Sequence, residues 1–258
     1  MIKAVFFDID GTLVSFKTHV VPKSTLHALE LLKKKGIKVF IATGRHRSSI
    51  NNLGDLEFDG YVTLNGGYVF AGKNDVIYKH SIPDKDIEAL VRYQNQEGEF
   101  PCAFVQENEI FMNYTDKAVN DVFHLLNFPA PPIRPIEDIY GKTVYQLIAF
   151  FTAEQEKRIM KVLSHCESTR WNALFTDVVP HGSSKRVGID KMLEHFHIGL
   201  DECMAFGDGG NDIQMLSHVG IGVAMGNAAQ EVMDSANYVT TSVDENGIYN
   251  ALKHFNII

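Results

Sequence analysis

Asp8-Ile9-Asp10-Gly11-Thr12 follows Ala4-Val5-Phe6-Phe7, a short apolar run near the start of the chain. Such a run, closed by a turn signal, reads as a buried strand. Two carboxylates therefore stand where a central strand ends, and Gly11 permits a tight turn there. Open α/β sheets bind ligands outside the carboxyl ends of their strands. Alternation along an extended chain puts Asp8 and Asp10 on one face and Ile9 on the other. Like charges so close repel, and an apolar surrounding raises their pKa values. A bound divalent cation removes that difficulty. A solvated turn that merely favours Asp and Gly is the bland alternative. A calcium loop of the EF-hand type fails, because its sixth position needs glycine and, counted from Asp8, that position is Leu13.

Outward from this stretch the chain alternates strands and helices. Pro22 to Lys35 predicts a helix with Leu26, Leu29 and Leu32 aligned, ended by Lys33-Lys34-Lys35-Gly36, with cations at the negative end of the dipole and glycine at the cap. Ile37 to Ala42 predicts a second buried strand, ending in Thr43-Gly44-Arg45 and followed by a helix of about ten residues. A strand, then Thr-Gly, then a helix start makes an anion site of backbone N–H groups and a hydroxyl. Gly60 to Leu64 predicts a third strand, and residues 68–71 and 76–80 a hairpin.

Near Ser81 the pattern changes. Helices are expected over 83–98, 116–127 and 153–165, and strands over 101–106, 109–114 and 144–151, with two further short strands reaching Pro180. Pro129-Ala130-Pro131-Pro132 reads as a stiff connection. Helices on an antiparallel sheet describe an α+β insertion. From Ser183 the α/β alternation resumes, with Ser183-Ser184 able to cap a helix that carries Lys185 in its first turn. Cys203 to Gly207 predicts a strand ending in Asp208, with further strands at 221–225 and 238–240 and a closing helix at 247–255. The expected fold class is α/β. A Rossmann-like parallel sheet with helices on both faces is formed by residues 1–80 and 182–258, and an α+β cap by 81–181.

Composition bounds the partners. The chain has 258 residues, of which 45% are apolar, ample for a packed core, and a net charge of −8. With a pI near 5.7 it is a poor match for nucleic acid or an anionic membrane. An acidic protein that handles anionic substrates needs local positive charge or a metal in its site. Cys102, Cys166 and Cys203 have unrelated spacings and suggest neither a disulfide framework nor a metal motif. They fit a reducing cytoplasm. No secretory leader or membrane-spanning run is expected, and the protein is expected to be a monomer or a weakly associated homo-oligomer. The eleven histidines are scattered, and His195-Phe196-His197 lacks the spacing of ligands on one helix face.

Polar groups gather at four strand ends: Asp8 and Asp10, Thr43, Lys185 on its helix entry, and Asp208 with Asp212. Gly207-Asp208-Gly209-Gly210-Asn211-Asp212 is a second acidic, glycine-rich loop after a buried strand. As a single copy it is no calcium-binding repeat of the RTX type. These residue types suit phosphoryl transfer. Carboxylates around an oxygen-rich site suit Mg²⁺, and a metal, an ammonium and backbone N–H groups can neutralise a transferring phosphoryl group. One Asp can attack phosphorus, and another can move the proton.

Taken in order, Asp8–Thr12, Thr43-Gly44-Arg45 after IKVFIA, Lys185 and the loop at 207–212 resemble the four motifs of the haloacid dehalogenase superfamily. The insertion resembles its type C2 cap, and the whole chain is similar to the Cof-type (subclass IIB) sugar-phosphate phosphatases. The resemblance implies that Asp8 is the nucleophile and a Mg²⁺ ligand. It implies that Asp10 is the general acid/base with its backbone carbonyl on the metal, that Asp208 is a third protein contact to the metal, and that Asp212 acts on it through metal-bound water. Thr43 and the Gly44 N–H would hold phosphoryl oxygens, and Lys185 would bridge phosphate and Asp8. Substrate-side candidates are Ile9, Gly44, Arg45, Asn211 and the cap residue Asp177. Arg45 reads either as a substrate or cap contact or as a helix-start arginine paired to a surface acid. Asn65 reads as a lining residue or a plain turn, and Trp171 as ordinary cap core, close to Arg170 in a returning strand. The expected activity is a Mg²⁺-dependent phosphatase for a small phosphate ester, most simply a sugar phosphate. Pyridoxal phosphate, flavin mononucleotide and nucleotides are alternative substrates. A phosphomutase or a phosphate-binding regulator are the rival functions.

Overall fold

The computed structural model describes residues 1–125, 128–129 and 131–258, without the side chains of Trp171 and Asn172. In chain order the first elements are β1 (Ala4–Phe7), α1 (Lys23–Lys34), β2 (Lys38–Ala42), β3 (Gly60–Thr63), β4 (Tyr68–Ala71) and β5 (Asp75–Lys79). Next come α2 (Asp84–Glu97), β6 (Cys102–Val105), β7 (Ile110–Met112), α3 (Lys117–Leu125), β8 (Gln146–Ala149), α4 (Ala153–Val162), β9 (Cys166–Asn172) and β10 (Phe175–Pro180). The last are α5 (Lys185–Phe196), β11 (Cys203–Gly207), α6 (Ile213–Leu216), β12 (Ile221–Ala224), α7 (Gln230–Asp234), β13 (Tyr238–Val239) and α8 (Gly247–His254). The chain divides into two compact units, one of Met1–Lys79 with Ser184–Ile258, the other of His80–Ser183.

The first unit is built on an eight-stranded sheet of order β13-β12-β11-β1-β2-β3-β4-β5. Its apolar runs are continuous because each central strand is buried on both faces. Val5, Phe7, Val39, Ile41, Met204 and Phe206 pack on one side with Ala28, Leu29 and Leu32 of α1 and Ile248, Ala251 and Leu252 of α8. Ala4, Phe6, Phe40, Ala42 and Ala205 pack on the other with Ile189, Met192 and Leu193 of α5 and Met215 and Leu216 of α6. Aromatic stacks knit neighbouring strands, Phe6 on Phe40 at 4.7 Å and Phe7 on Phe206 at 5.2 Å between centroids. The chain leaves β1 toward β2 on one side and returns at β11 on the other, so the order reverses beside β1. Such a reversal leaves a crevice at the strands' carboxyl ends.

Three expectations are corrected here. The sheet is parallel from β13 to β3 only, because β3–β4 and β4–β5 are antiparallel. The buried stripe of α1 is Thr25, Ala28, Leu29 and Leu32, with Leu26 half-buried. The ten-residue helix after Arg45 is absent; a single 3-10 turn, Arg47–Ser49, stands in its place. The His46 ring accepts the Ser48 N–H, and Arg45 Nη1 donates to the Ser49 carbonyl, so side chains take up the groups a helix would pair. Asn51, Asn52 and Gly54 follow, all poor helix formers.

The second unit is α+β. Its five-stranded antiparallel sheet has the order β7-β6-β8-β10-β9. Ile87, Leu90 and Val91 of α2 and Ile159 of α4 pack with Phe104, Leu147 and Val178 on one face, and Val119, Val122 and Phe123 of α3 with Ala103, Met112 and Phe175 on the other. A capping box between Thr152 and Gln155 opens α4 and satisfies two N–H groups reciprocally. The expected end of α3 at Asn127, Ala130 in the proline-rich connection and the side chain of Trp171 lie outside the described residues. Among the described residues no helix is long and apolar enough to cross a membrane.

Candidate active site

Asp8 directly follows β1, and Asp208 directly follows the neighbouring β11, so sheet pairing alone brings their backbones side by side. Lys185 opens α5, whose N-cap Ser184 side chain accepts the Val187 N–H. From there its fully buried Nζ donates to Asp8 Oδ1 at 2.6 Å and to Asp212 Oδ1 at 2.5 Å. Asp212 Oδ2 accepts the backbone N–H groups of Asp208 (3.0 Å) and Gly209 (2.9 Å), which closes the 207–212 loop on its own carboxylate. Gly207 is needed for this fold-back, since a Cβ there would lie 2.5 Å from Asp212 Cγ. Asp208 is held by Thr12, whose Oγ1 donates to Oδ1 at 2.8 Å, and by Asn227, whose Nδ2 donates to Oδ2 at 3.2 Å. Gly11 has φ of +86°, and a Cβ there would collide with the Asp208 carboxylate. The two acidic loops thus touch through a position only glycine can fill.

Asp8, Asp208 and Asp212 each offer an oxygen, and these lie within 4.8 Å of one another. Three carboxylates face one ammonium. Burial drives the Asp8 carboxyl up to about 7; Lys185 opposes the rise, and Asp212 and Asp10 add to it. Burial likewise lifts Asp208 well above the usual carboxylate range, reinforced by Asp8 and Asp212 against Thr12 and Lys185. Burial would strip the proton from Lys185, but Asp212 and Asp8 outweigh it and keep the ammonium more strongly protonated than usual. Without a cation the trio therefore eases its repulsion by holding protons, which a bound cation would displace. Its donors are all hard oxygens, with no imidazole or thiolate among them. That donor set fits a divalent cation such as Mg²⁺, Mn²⁺ or Ca²⁺.

Asp10 turns elsewhere. The guanidinium of Arg45 grips it with two bonds, Nε to Oδ2 at 2.5 Å and Nη2 to Oδ1 at 2.6 Å. Strand alternation does not extend past Phe7, so Asp8 and Asp10 serve different partners despite their spacing. Arg45 is buried and paired to Asp10, so the reading of it as a helix-start arginine paired to a surface acid fails. Thr43 Oγ1 accepts the Arg45 N–H at 3.1 Å, and the half-buried Gly44 lies between them. Asn211 Nδ2 donates to Asn65 Oδ1 at 3.0 Å, and Asn65 is buried with φ of +50°. Asn65 is thus tied to the 207–212 loop and is more than a plain turn. Ile9 belongs to the apolar core through its side chain, leaving its backbone at the site; its carbonyl accepts the Val14 N–H at 2.8 Å. Asp177 lies buried in β10 of the second unit, in register with Thr169 and Ile148. Arg170 is taken up within that unit by Glu156 and the carbonyls of Phe151, Ala173 and Phe175. Sequence reasoning missed the part of Asn227; its one local signal is Gly226-Asn227 directly after a buried strand.

Comparison with known proteins agrees with this geometry. A family model for haloacid dehalogenase-like hydrolases matches residues 5–252. YkrA of Bacillus subtilis (strain 168), named provisionally as a phosphatase, is 36% identical over 259 residues, covering 99% of this chain and 98% of its own. The 5-amino-6-(5-phospho-D-ribitylamino)uracil phosphatase YitU of the same organism is 28% identical over 262 residues, covering 97% and 96%. Among solved structures, a sugar phosphatase of haloacid dehalogenase subclass IIB superposes with a TM-score of 0.94 at 47% identity, over 99% of this chain and 100% of that one. The chain is a phosphatase and belongs to the haloacid dehalogenase-like hydrolases, among the Cof-type members of subclass IIB.

Proposed function

We propose that this chain is a Mg²⁺-dependent phosphohydrolase that acts on small phosphorylated metabolites, foremost sugar phosphates, through an aspartyl phosphate on Asp8. The observation that carries the reading is the convergence of Asp8, Asp208 and Asp212 on one point, with Lys185 beside them. Asp8, Asp208 and the Asp10 backbone carbonyl would hold the cation, with Asp212 behind them, positioned by Lys185 and the loop amides. When bound, Mg²⁺ would supply positive charge against the transferring phosphoryl oxygens.

Asp8 attacks phosphorus, so that an Asp8 O–P bond forms as the ester P–O bond breaks. Lys185 neutralises charge on Asp8 and the phosphoryl group, while Thr43 and the Gly44 N–H bind the phosphoryl oxygens. Asp10 gives its proton to the leaving alkoxide, then takes one from the water that cleaves the acyl phosphate, releasing phosphate and restoring both carboxyl groups. Arg45 donates one bond to each Asp10 oxygen, which leaves a further lone pair on each for the proton in transfer. A sugar phosphate is the favoured substrate because the sugar phosphatase neighbour is the more similar in sequence, at 47% identity. Residues 80–183, as the cap, would carry recognition of the leaving group.

The test is a panel of hexose and pentose phosphates, pyridoxal phosphate, flavin mononucleotide and nucleotides, assayed with Mg²⁺ and with chelator. Turnover should vanish with chelator, return with Mg²⁺ and be absent in Asp8→Asn. Full turnover in excess chelator, or in Asp8→Asn, refutes the mechanism. A best substrate without a sugar phosphate ester refutes the substrate class.

A further inference from the structure

The Asp208 carboxylate is gripped at both oxygens, and one of the two hands is a residue to which phosphoryl transfer gives no part. Asn227 follows β12 on a short loop. Its Nδ2 donates to the Gly11 carbonyl at 2.9 Å and to Asp208 Oδ2 at 3.2 Å, and its Oδ1 accepts the Val243 N–H at 3.0 Å. A primary amide has two N–H donors and one carbonyl, and here each function is used on a different loop. Those loops follow β1 and β11 and precede α8. Thr12 takes the other Asp208 oxygen from the opposite side, so the plane of the carboxylate is set by two donors. Each carboxylate oxygen accepts more than one bond, so both remain able to meet a cation.

We propose that Asn227 is a positioning residue for the Asp208 carboxylate, holding it and the Gly11 backbone in the arrangement that binds a divalent cation. The inference rests on the reading of Asp208 as a metal ligand. Three facts separate this role from general packing. Asn227 is exposed and lies outside the apolar core. No shorter polar residue could span Gly11, Asp208 and Val243 together. An acid in its place would set acceptor against acceptor at Asp208. Groups that orient metal-binding side chains typically change metal affinity by about 10- to 100-fold when removed.

The same region offers an internal control. Ser15 Oγ donates to Asp244 Oδ1 at 2.7 Å, tying the segment after Thr12 to the turn that contains Val243 without touching Asp208. Ser15→Ala loosens that connection and leaves the carboxylate alone. Asn227→Asp keeps the acceptor for the Val243 N–H and removes both donated bonds. Asn227→Ala removes all three.

The experiment is calorimetric titration of the full chain with MgCl₂ at pH 7.5, together with thermal unfolding without metal. Asn227→Asp and Asn227→Ala should each raise the Kd for Mg²⁺ about 10- to 100-fold. Ser15→Ala should lower the metal-free thermal midpoint and leave Kd within about twofold of the wild type. Asp208→Asn separates the two layers of the argument. If it binds Mg²⁺ like the wild type, the metal reading of Asp208 fails and the inference falls with it. If it weakens binding while both Asn227 variants bind normally, the inference alone is overturned. Equal weakening in Ser15→Ala would reduce Asn227 to one of several loop ties and overturn it as well. Failure of both Asn227 variants to fold counts against it too, since a positioning residue is dispensable to the apolar core.

Discussion

A protonated Asp8 makes the metal-free protein less stable as pH rises, the reverse of ordinary acid unfolding. The Asp8 carboxyl titrates near 7 in the folded chain, against a value of 3.8 for the free group. Between those values the folded state binds a proton that the unfolded state has lost, so stability falls with increasing pH. The contribution is fully present below about pH 4 and is lost as pH passes through 7. Between pH 5.5 and 7.5 the linkage integral for this one group comes to about 2 kcal/mol. Asp8 is only 7% exposed, so solvent screening discounts little of it. Asp208 shifts in the same direction and adds to the effect. The carboxylates lowered by their hydrogen-bond partners, Glu137, Glu202 and Asp244, act with opposite sign, but they complete their titration below this window. For a unit of this size 2 kcal/mol shifts the thermal midpoint by roughly 4–8 °C. The assay is calorimetry of exhaustively dialysed protein across pH 5.5–7.5, with and without millimolar MgCl₂. The metal-free midpoint should fall with pH, Mg²⁺ should cancel or reverse the slope, and Asp8→Asn should flatten it. A metal-free midpoint that is constant or rises, or a slope unchanged in Asp8→Asn, would refute the reasoning.

Lys185→Met leaves two buried carboxylates without their ammonium and should cost about 3–5 kcal/mol in urea unfolding of the metal-free protein at pH 7.5; a cost below 1 kcal/mol would mean that the bridge is not buried as described. Arg45→Lys keeps the charge but cannot grip both Asp10 oxygens, so kcat should fall by up to about 10²-fold on alkyl phosphates and far less on aryl phosphates with good leaving groups. Equal losses on the two classes would remove Arg45 from proton transfer. Asp177→Asn should cut kcat/KM for the best sugar phosphate by about 1–3 kcal/mol in transition-state terms and leave an aryl phosphate nearly unchanged; loss on both would assign Asp177 to the stability of its own sheet.

Much of the first unit was legible because β1, β2, β11 and β12 are buried on both faces and so appear as unbroken apolar runs with polar strand ends. In the second unit α2 was legible from Ile87, Leu90 and Val91 at helical spacing. The helix after Arg45 was not, because what decides that segment is the reach of the Arg45 and His46 side chains to local backbone groups, which periodicity does not encode. The antiparallel end of the sheet follows from two tight connections, the turn at Leu64–Gly66 between β3 and β4 and the hairpin at residues 72–75 between β4 and β5. That hairpin was expected, but its joining to β3 was not. Within the site, Asp8, Asp208, Asp212 and Lys185 could be gathered from their strand ends. The grip of Asn227 on Gly11 spans 216 residues, and Gly226-Asn227 after a buried strand does not name that partner.

Asp8 and Asp10 illustrate what spacing conceals. Two residues apart at the end of one strand, they are placed by spacing alone on one face. In the folded chain Asp8 shares a single buried ammonium with Asp212 and faces Asp208, so its charge is left partly unbalanced and invites a cation. Asp10 is gripped by the Arg45 guanidinium with one bond to each oxygen. A nucleophile profits from the first arrangement, because a cation that neutralises the trio also draws in an anionic phosphate despite the chain's net charge of −8. A proton carrier profits from the second, because its orientation is set before substrate arrives. The difference comes from Lys185 and Arg45, which lie 177 and 35 residues away in the chain, so the different pairing of the two acids arises only when the chain folds.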